Sequence, residues 1–160
     1  MWVAVCEDIS IERILLRDML RAYFFERSLN AQVDLFSNAQ ALLSAFSPGK
    51  YQLLLLDIYM PGMTGMEAAR LLRERGEICP LIFSTTSEEH ALNSYGVYAS
   101  GYLLKPYTQE QLNETLDWCA ENTQMLQSAI EISCEWEKIS LPLKDIAFIE
   151  IYGRKAVFHT

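Results

Sequence analysis

The sequence has no long hydrophobic run, and this lack argues against several classes of protein. Its longest uninterrupted aliphatic stretch covers residues 53–56, whereas a helix that crosses a membrane needs about 20 apolar residues. Glu7 and Asp8 interrupt the first apolar stretch, so no secretory signal peptide is predicted. We therefore expect a protein of the cytoplasm that makes no contact with a membrane.

Cysteine is scarce, and the four cysteines have no spacing that suggests a shared site. They stand at positions 6, 79, 119 and 134, without a CxxC pair or a Cys/His cluster. The sequence therefore predicts four reduced thiols, as in a cytosol, and no structural zinc.

Basic charge is also in short supply. The chain has 13 Lys and Arg against 21 Asp and Glu, which gives a formal net charge of -8. Surfaces that bind nucleic acids are normally basic, so we expect no sequence-specific DNA binding by these 160 residues alone. The acidity instead favours solubility, or a partner with a basic face.

Strand-like and helix-like segments alternate from residue 2 to about residue 128. Short apolar runs predict strands at 2–6, 31–36, 52–56, 79–84 and 101–104. Helical spacing predicts helices at about 11–28, 37–46, 64–75, 87–95 and from 108 onward, with N-caps at Ser10, Ser37, Thr64, Ser87 and Thr108. Five strands that are each followed by a helix predict an α/β fold with a five-stranded, doubly wound parallel sheet.

The pattern changes after residue 128. Short strands are predicted at 130–136, 138–143, 145–152 and 155–160, and no helix follows them. The sequence therefore predicts two parts: residues 1–128, which form the parallel-sheet domain, and residues 129–160, a short C-terminal β segment.

Acidic, hydroxyl and basic side chains stand at the ends of the predicted strands. Glu7 and Asp8 follow the first strand, Asp57 ends the third, Thr85 follows the fourth and Lys105 follows the fifth. The carboxyl ends of parallel strands share one edge of the sheet, so we expect these side chains to converge. Three carboxylates packed together repel one another, and Mg²⁺ with its preference for oxygen ligands would relieve that repulsion.

A carboxylate beside Mg²⁺ can attack a phosphoryl group and form an acyl phosphate. Asp57 is the favoured nucleophile because it ends the most hydrophobic strand and is followed by a loop that contains Gly62 and Gly65. The oxygens of the transferring group need positive charge and hydrogen-bond donors. Lys105 and the Thr85 hydroxyl are placed to supply them.

These motifs together resemble those of the response-regulator receiver family of two-component systems. They are Glu7-Asp8, Leu56-Asp57-Ile58-Tyr59-Met60-Pro61 with Gly65, Thr85, and Lys105-Pro106, and the resemblance covers residues 1 to about 125. It implies a flavodoxin-like receiver fold in which Asp57 accepts the phosphoryl group from a sensor histidine kinase. Such a protein is a signalling phospho-acceptor with at most self-phosphorylation and autodephosphorylation activity.

The resemblance also implies a role for each residue of the site. Asp8 and Asp57 ligate Mg²⁺ directly, Glu7 assists through a water, and the Tyr59 carbonyl completes the ligand set. Lys105 binds the phosphoryl group. Thr85 is the hydroxyl that moves toward the phosphate, and Tyr102 is the aromatic side chain whose rotamer follows it. The family often has a small residue where Thr86 stands, which bears on the lifetime of the phosphate.

The tail resembles the opening strands of a LytTR-type DNA-binding domain. The resemblance lies in residues 139–160, with Leu143 to Glu150 and Gly153-Arg154. It implies a truncated transcriptional regulator whose base-reading part lies beyond residue 160, so that DNA is contacted only through that missing part. Because the apolar tail cannot bury both of its faces alone, we expect it to be ordered only through a homodimer contact or swap.

Ordinary explanations remain open for single residues. Glu7 and Asp8 would also suit the start of a helix, and Lys105 taken alone could be a solvated surface residue. Thr85 could belong to a turn, and Tyr102 could simply pack within its strand. The tyrosines at 95, 98, 102 and 107 fit either packing or a surface for a partner.

Three rival functions fit parts of the pattern. An aspartyl-phosphate phosphohydrolase of the haloacid-dehalogenase type needs a second acid two residues after the nucleophile, where this chain has Tyr59. A flavodoxin-like flavin binder needs a phosphate loop where Cys6-Glu7-Asp8 stands. A degenerate receiver used only for docking would not need the intact set of site residues.

Overall fold

The computed structural model describes residues 1–87 and 96–122, together with four strands in the C-terminal part. The chain divides into two compact units, residues 1–125 and residues 126–160. Residues 88–95, which hold nearly all of the predicted helix 87–95, lie outside the described residues, as do residues 143–147 of the tail motif.

The first unit is built on a parallel sheet whose strands are joined by helices. The strands are β1 (Trp2–Cys6), β2 (Gln32–Phe36), β3 (Leu53–Asp57), β4 (Leu81–Thr85) and β5 (Gly101–Leu104). The helices described in this unit are α1 (Ser10–Glu26), α2 (Ala39–Ala45), α3 (Gly65–Glu74) and α4 (Gln109–Asn122). The strand order is β2-β1-β3-β4-β5 with every pair parallel, so the predicted five-stranded parallel sheet is confirmed.

The central strand β3 divides the core into two layers. Leu54 and Leu56 pack in one apolar cluster with Leu42 of α2 and Leu72 of α3. The alternate residues Leu53 and Leu55 pack in the other cluster, which contains Leu20 of α1 and Leu116 of α4. A strand buried on both faces must be apolar throughout, which explains the run of four leucines.

Strand register places the functional ends side by side. Cys6 of β1 pairs with Leu56 of β3, and Asp57 pairs with Ser84 of β4. Thr85 pairs with Leu104, the residue before Lys105. The residues that follow β1, β3, β4 and β5 therefore share one edge of the sheet.

Two of the predicted helix caps are wrong by one residue. Helix α1 begins at Ser10 itself, and its N-cap is Ile9, which has no side-chain cap; the Ile9 N–H donates instead to Glu7 Oε1 at 3.1 Å. Helix α2 is capped by Asn38 rather than by Ser37, because Asn38 Oδ1 accepts the Ala41 N–H at 2.8 Å. Asn and Ser cap helices about equally well, so adjacent candidates are not separated by sequence.

The two predicted capping boxes are confirmed. The Thr64 hydroxyl accepts from the Glu67 N–H, and the Glu67 carboxylate accepts from the Thr64 N–H. The Thr108 N–H likewise donates to Gln111 Oε1 at 2.8 Å, and the Gln111 N–H donates to Thr108 Oγ1 at 3.3 Å. The two motifs fix where α3 and α4 begin.

The second unit contains two antiparallel strand pairs. Strand β6 (Ala129–Cys134) pairs with β7 (Glu137–Pro142), and β8 (Phe148–Tyr152) pairs with β9 (Lys155–His159). The four strands predicted for this part of the chain are therefore confirmed. No helix in the described part of the chain has the length and apolar character to cross a membrane.

Three of the cysteine thiols should be unreactive toward alkylating reagents in the folded protein. Cys6, Cys79 and Cys119 are buried free thiols, and burial raises the pKa of Cys6 to about 12 and that of Cys119 to about 11. Because the thiolate is the reactive species, we expect these thiols to resist iodoacetamide at pH 8 and to react fully in urea. Mass spectrometry of the labelled peptides checks this, and rapid labelling of any of the three in native buffer would contradict it.

Candidate functional site

The Lys105 side chain joins three carboxylates at the carboxyl edge of the sheet. Its Nζ lies 2.6 Å from Glu7 Oε2, 2.6 Å from Glu12 Oε2 and 2.9 Å from Asp57 Oδ2. The Glu7, Asp57 and Lys105 side chains are 2%, 6% and 11% exposed, and that of Glu12 is 39% exposed. An ammonium group has three N–H donors, so each donor of Lys105 is engaged by a carboxylate.

Burial and hydrogen bonding have opposite effects on the charged groups of this cluster. Burial lowers the pKa of Lys105, but its hydrogen bonds to Glu12, Glu7 and Asp57 outweigh burial and raise the pKa well above its usual value. Burial raises the pKa of Glu7, and the hydrogen bond from Lys105 opposes that rise. Lys105 is therefore a permanent cation that makes buried carboxylates tolerable.

The predicted metal ligands lie close enough together to share one ion. Glu7, Asp8 and Asp57 each offer a carboxylate oxygen, and these oxygens lie within 4.8 Å of one another. Oxygen donors of this kind suit a hard cation such as Mg²⁺. A site with few carboxylates leaves ligand positions for water, which Mg²⁺ retains. The residues present therefore fit the predicted ion.

Backbone hydrogen bonds fix the orientation of the candidate acceptor. The Tyr59 N–H donates to Asp57 Oδ1 at 3.1 Å, while Lys105 holds Oδ2 on the other side. The Ile58 N–H donates to the Ser84 carbonyl at 3.2 Å, and the Lys105 N–H donates to the Thr85 carbonyl at 2.8 Å. The Asp57 carboxylate is therefore held at both oxygens. The use of the Tyr59 carbonyl as a metal ligand stays a prediction.

The two predicted switch residues lie beside this cluster rather than within it. Thr85 is fully buried, and its hydroxyl accepts the Ser87 N–H at 3.2 Å; within the described residues Asp57 is not its partner. Tyr102 packs against Phe83, with ring centroids 5.5 Å apart. The Tyr102 hydroxyl is buried without a hydrogen-bond partner in the described part of the chain, and burial raises its pKa to about 12.

Sequence reasoning missed two residues of the site. Glu12 bonds to Lys105 from the first turn of α1. The Arg13 guanidinium donates to the carbonyls of Glu7 and Asp8 and so fixes the loop that carries both acids. No local sequence pattern signals the contact of Glu12 with Lys105, because the two residues are 93 positions apart in the chain.

A cavity of about 340 Å³ opens beside Lys105. It is lined by Glu12, Leu15, Thr86, Lys105, Pro106 and Tyr107. Its wall is mainly apolar; Glu12 and Lys105 are its charged residues, and Thr86 and Tyr107 carry hydroxyls. The peptide bond between Lys105 and Pro106 is cis.

Comparison with known proteins establishes the family. Residues 3–117 match the family described as "Response regulator receiver domain". Since this match covers more than half of the chain, the chain belongs to the response regulator receiver family. Members of this family are signalling proteins rather than classical enzymes.

Curated relatives are bacterial regulators. The chain is 41% identical over 80 residues to the positive alginate biosynthesis regulatory protein of Pseudomonas aeruginosa, a match that covers 50% of this chain and 32% of the relative. It is 27% identical over 146 residues to the sensory transduction protein LytT of Bacillus anthracis, covering 84% of this chain and 57% of the relative. The chain thus spans about a third to just over half the length of these relatives.

Solved structures share the fold. Chemotaxis protein CheY4 of Vibrio cholerae superposes with a TM-score of 0.63 at 24% identity, covering 72% of this chain and 95% of that chain. Response regulator protein TrrA of Thermotoga maritima, solved in complex with Mg²⁺ and BeF, gives a TM-score of 0.63 at 27% identity, with coverage of 74% and 97%. The flavodoxin-like receiver fold predicted from the sequence is confirmed.

Glycine is required at position 65 by a close approach of the main chain. The Gly65 N–H donates to the Ile58 carbonyl at 3.0 Å. A Cβ added at Gly65 would overlap the Asp57 carbonyl oxygen and lie 2.9 Å from the Asp57 carbonyl carbon. Both atoms belong to backbone, which cannot swing aside as a side chain does. The residue that starts α3 therefore sets the position of Asp57.

The variant Gly65→Ala should therefore be destabilised. We expect a loss of about 1–3 kcal/mol in the free energy of unfolding, the usual cost of overpacking, measured by urea titration. Gly96→Ala is the matched control, because a Cβ at Gly96 meets nothing within 4 Å and should cost little. Equal stability of the Gly65→Ala variant and the wild type would show that the loop relaxes freely.

Proposed function

We propose that Asp57 accepts a phosphoryl group from a sensor histidine kinase in a Mg²⁺-dependent reaction. The observation that carries this proposal is the Lys105 ammonium held 2.9 Å from Asp57 Oδ2, beside a cluster of three acids that fits a divalent cation. In the transfer, an Asp57 oxygen forms a bond to phosphorus as the bond from phosphorus to the kinase imidazole nitrogen breaks. The imidazole keeps the electron pair of that bond.

The residues of the chain prepare Asp57 for this role. The Tyr59 N–H and Lys105 hold the carboxylate in one orientation, which reduces the entropy lost when the donor phosphorus approaches. Mg²⁺, when bound by Glu7, Asp8 and Asp57, supplies positive charge to the oxygens of the transferring group. As the Asp57 carboxylate becomes an acyl phosphate it loses its own charge, and the Lys105 donor that it held can turn to a phosphoryl oxygen.

The switch is proposed to run through Thr85 and Tyr102. A phosphoryl group on Asp57 offers strong acceptor oxygens, and Thr85 ends the neighbouring strand β4. Movement of the Thr85 hydroxyl toward the phosphate would break its contact with the Ser87 N–H. The Tyr102 hydroxyl has no hydrogen-bond partner among the described residues, so a rearrangement that provides one is favoured. This differential free energy is what a population shift requires.

The output is proposed to be transcriptional, through a LytTR-type domain of which residues 129–160 are the linker and the start. The match to LytT over 84% of this chain is longer than residues 1–125 could provide, so it includes part of the second unit. DNA contact is assigned to the part of such a regulator beyond residue 160. A receiver with this role works in the cytoplasm.

Self-association is the proposed consequence of phosphorylation. Tyr98, Leu104 and Trp118 are large apolar side chains that are 80%, 43% and 52% exposed. They lie on β5 or on the segments that precede and follow it in the chain. Exposed apolar side chains that form one contiguous patch would favour a protein partner, and a second copy of the chain is the proposed partner.

Phosphorylation of Asp57 is directly testable. With a small phosphodonor and Mg²⁺, the wild type should gain one acid-labile, hydroxylamine-sensitive phosphate, because that lability is typical of an acyl phosphate. Asp57→Asn should lose the labelling, and a chelator should slow it at least about 100-fold, given the several kcal/mol that a metal contributes to phosphoryl transfer. Intact-mass spectrometry measures the label.

Asp18→Asn is the control for that experiment, since Asp18 is 54% exposed and pairs with Arg17 outside the site. It should be labelled like the wild type. Full labelling of Asp57→Asn would refute the assignment of the acceptor, and an unchanged rate after chelation would remove the metal from the reaction.

The variant Thr85→Ala should still be phosphorylated but should self-associate less in response to phosphorylation. Because Lys105 and the acid cluster remain, Asp57 should still be labelled, but phosphate-dependent self-association should weaken about tenfold or more, as expected from the loss of a charge-assisted hydrogen bond. Size-exclusion chromatography with light scattering measures association with and without phosphodonor. Ser44→Ala removes an exposed hydroxyl of α2 that donates to the Gln40 carbonyl, away from the site, and serves as the control. Equal association of Thr85→Ala and the wild type would exclude Thr85 from the switch.

A further inference from the structure

Glu12 holds Lys105 as closely as the buried acid Glu7 does. Each places a carboxylate oxygen 2.6 Å from the Lys105 Nζ. Glu12 does not belong to the group of acids that could share a metal, which consists of Glu7, Asp8 and Asp57 within the described residues. It reaches Lys105 from α1, on the more exposed side of the site. The contact is therefore separate from metal binding.

Lys105 does not need Glu12 to stay in place. The Lys105 side chain already bonds to the nearly buried carboxylates of Glu7 and Asp57. Its main chain is fixed by the bond from its N–H to the Thr85 carbonyl. A third carboxylate adds negative charge where an anionic phosphoryl group has to arrive.

Two physical effects of Glu12 oppose a phosphoryl group on Asp57. First, the ammonium donor that Asp57 releases can follow a phosphoryl oxygen only as far as the bonds from Lys105 to Glu7 and Glu12 allow, so the pull of Glu12 on Lys105 opposes the pull of a phosphoryl oxygen. Second, the Glu12 and Asp57 oxygens contact the same nitrogen and hence lie only a few ångströms apart. Like charges at that separation repel, most of all where burial limits screening by water.

We propose that Glu12 is a positioning residue that restrains Lys105 and thereby weakens the binding of a phosphoryl group at Asp57. This inference rests on the proposed function of Asp57. The phosphorylated state is therefore less stable with Glu12 present than it would be with the other residues of the site alone. The restraint sets the balance between the two states of the receiver and takes no part in the transfer itself.

Beryllofluoride with Mg²⁺ tests the restraint without covalent chemistry, because it is an anionic mimic of a phosphoryl group on a carboxylate. Glu12→Gln keeps the length of the side chain and removes its charge. We expect it to bind beryllofluoride about two- to fivefold more tightly than the wild type in isothermal titration calorimetry at saturating Mg²⁺, the range for loss of one partly exposed charge contact. Glu114→Gln, on the exposed part of α4, makes the same change of net charge and should bind like the wild type.

A gain in affinity distinguishes the restraint from a merely structural role, since a damaged site would bind more weakly. Glu12→Asp withdraws the carboxylate from Lys105 while keeping the charge, and it should shift the affinity in the same direction by a smaller factor. The variant Glu12→Asp also provides the test if Glu12→Gln does not fold. Weaker binding by the Glu12 variants, or binding equal to that of Glu114→Gln, would overturn the inference.

Asp57→Asn separates failure of this inference from failure of the proposed function. If Asp57 is the acceptor, Asp57→Asn loses beryllofluoride binding whatever Glu12 does. If Asp57→Asn binds as well as the wild type, the proposed function fails and the inference falls with it. If Asp57→Asn loses binding while Glu12→Gln matches its control, the inference alone is overturned.

Discussion

A single ammonium group among buried carboxylates is the constraint on which the rest of this site depends. Asp57 and Glu7 are almost inaccessible to water, and burying a charge is costly unless an opposite charge and hydrogen bonds accompany it. Lys105 supplies both to the two acids, and its bond to Glu12 links the cluster to the exposed face of α1. Lys105 follows β5 and must lie beside Asp57 at the end of β3. The register of the strands therefore determines whether the two charges can meet.

The sheet meets that demand through a central strand that is apolar up to Asp57. Leu53 to Leu56 fill both core layers and bring Asp57 to the edge on a support that has little freedom to move. The loop after Asp57 is then fixed by Gly65, whose lack of a side chain lets α3 begin against the Asp57 carbonyl. The expected instability of Gly65→Ala and the expected loss of labelling in Asp57→Asn are thus consequences of one arrangement.

The sequence was sufficient to predict the sheet, the order of its functional ends and the convergence of Glu7, Asp8, Asp57 and Lys105. These follow from hydrophobic periodicity and from the rule that parallel strands deliver their carboxyl ends to one edge. The cap at Ser37 is misplaced because Asn and Ser cap helices about equally well. The cap at Ser10 is misplaced because α1 begins without a side-chain cap, and Glu7 Oε1 accepts the Ile9 N–H instead. Glu12 was missed for a different reason: its contact with Lys105 joins the first turn of α1 to the end of β5, and no local pattern records so distant a pairing.

The hydrogen-bond capacity of the acids explains how one site can serve a lysine, a metal and a phosphoryl group. Glu7 Oε1 accepts the Ile9 N–H and Oε2 accepts Lys105, while Asp57 divides its oxygens between the Tyr59 N–H and Lys105. Each carboxylate oxygen has two lone pairs, so these bonds leave room for a cation without being broken. The ammonium has no such reserve, because its three donors are already engaged. The carboxylates and an incoming phosphoryl group therefore compete for Lys105. Glu12 is the most exposed of the three carboxylates that bind Lys105, and its removal should favour the phosphorylated state.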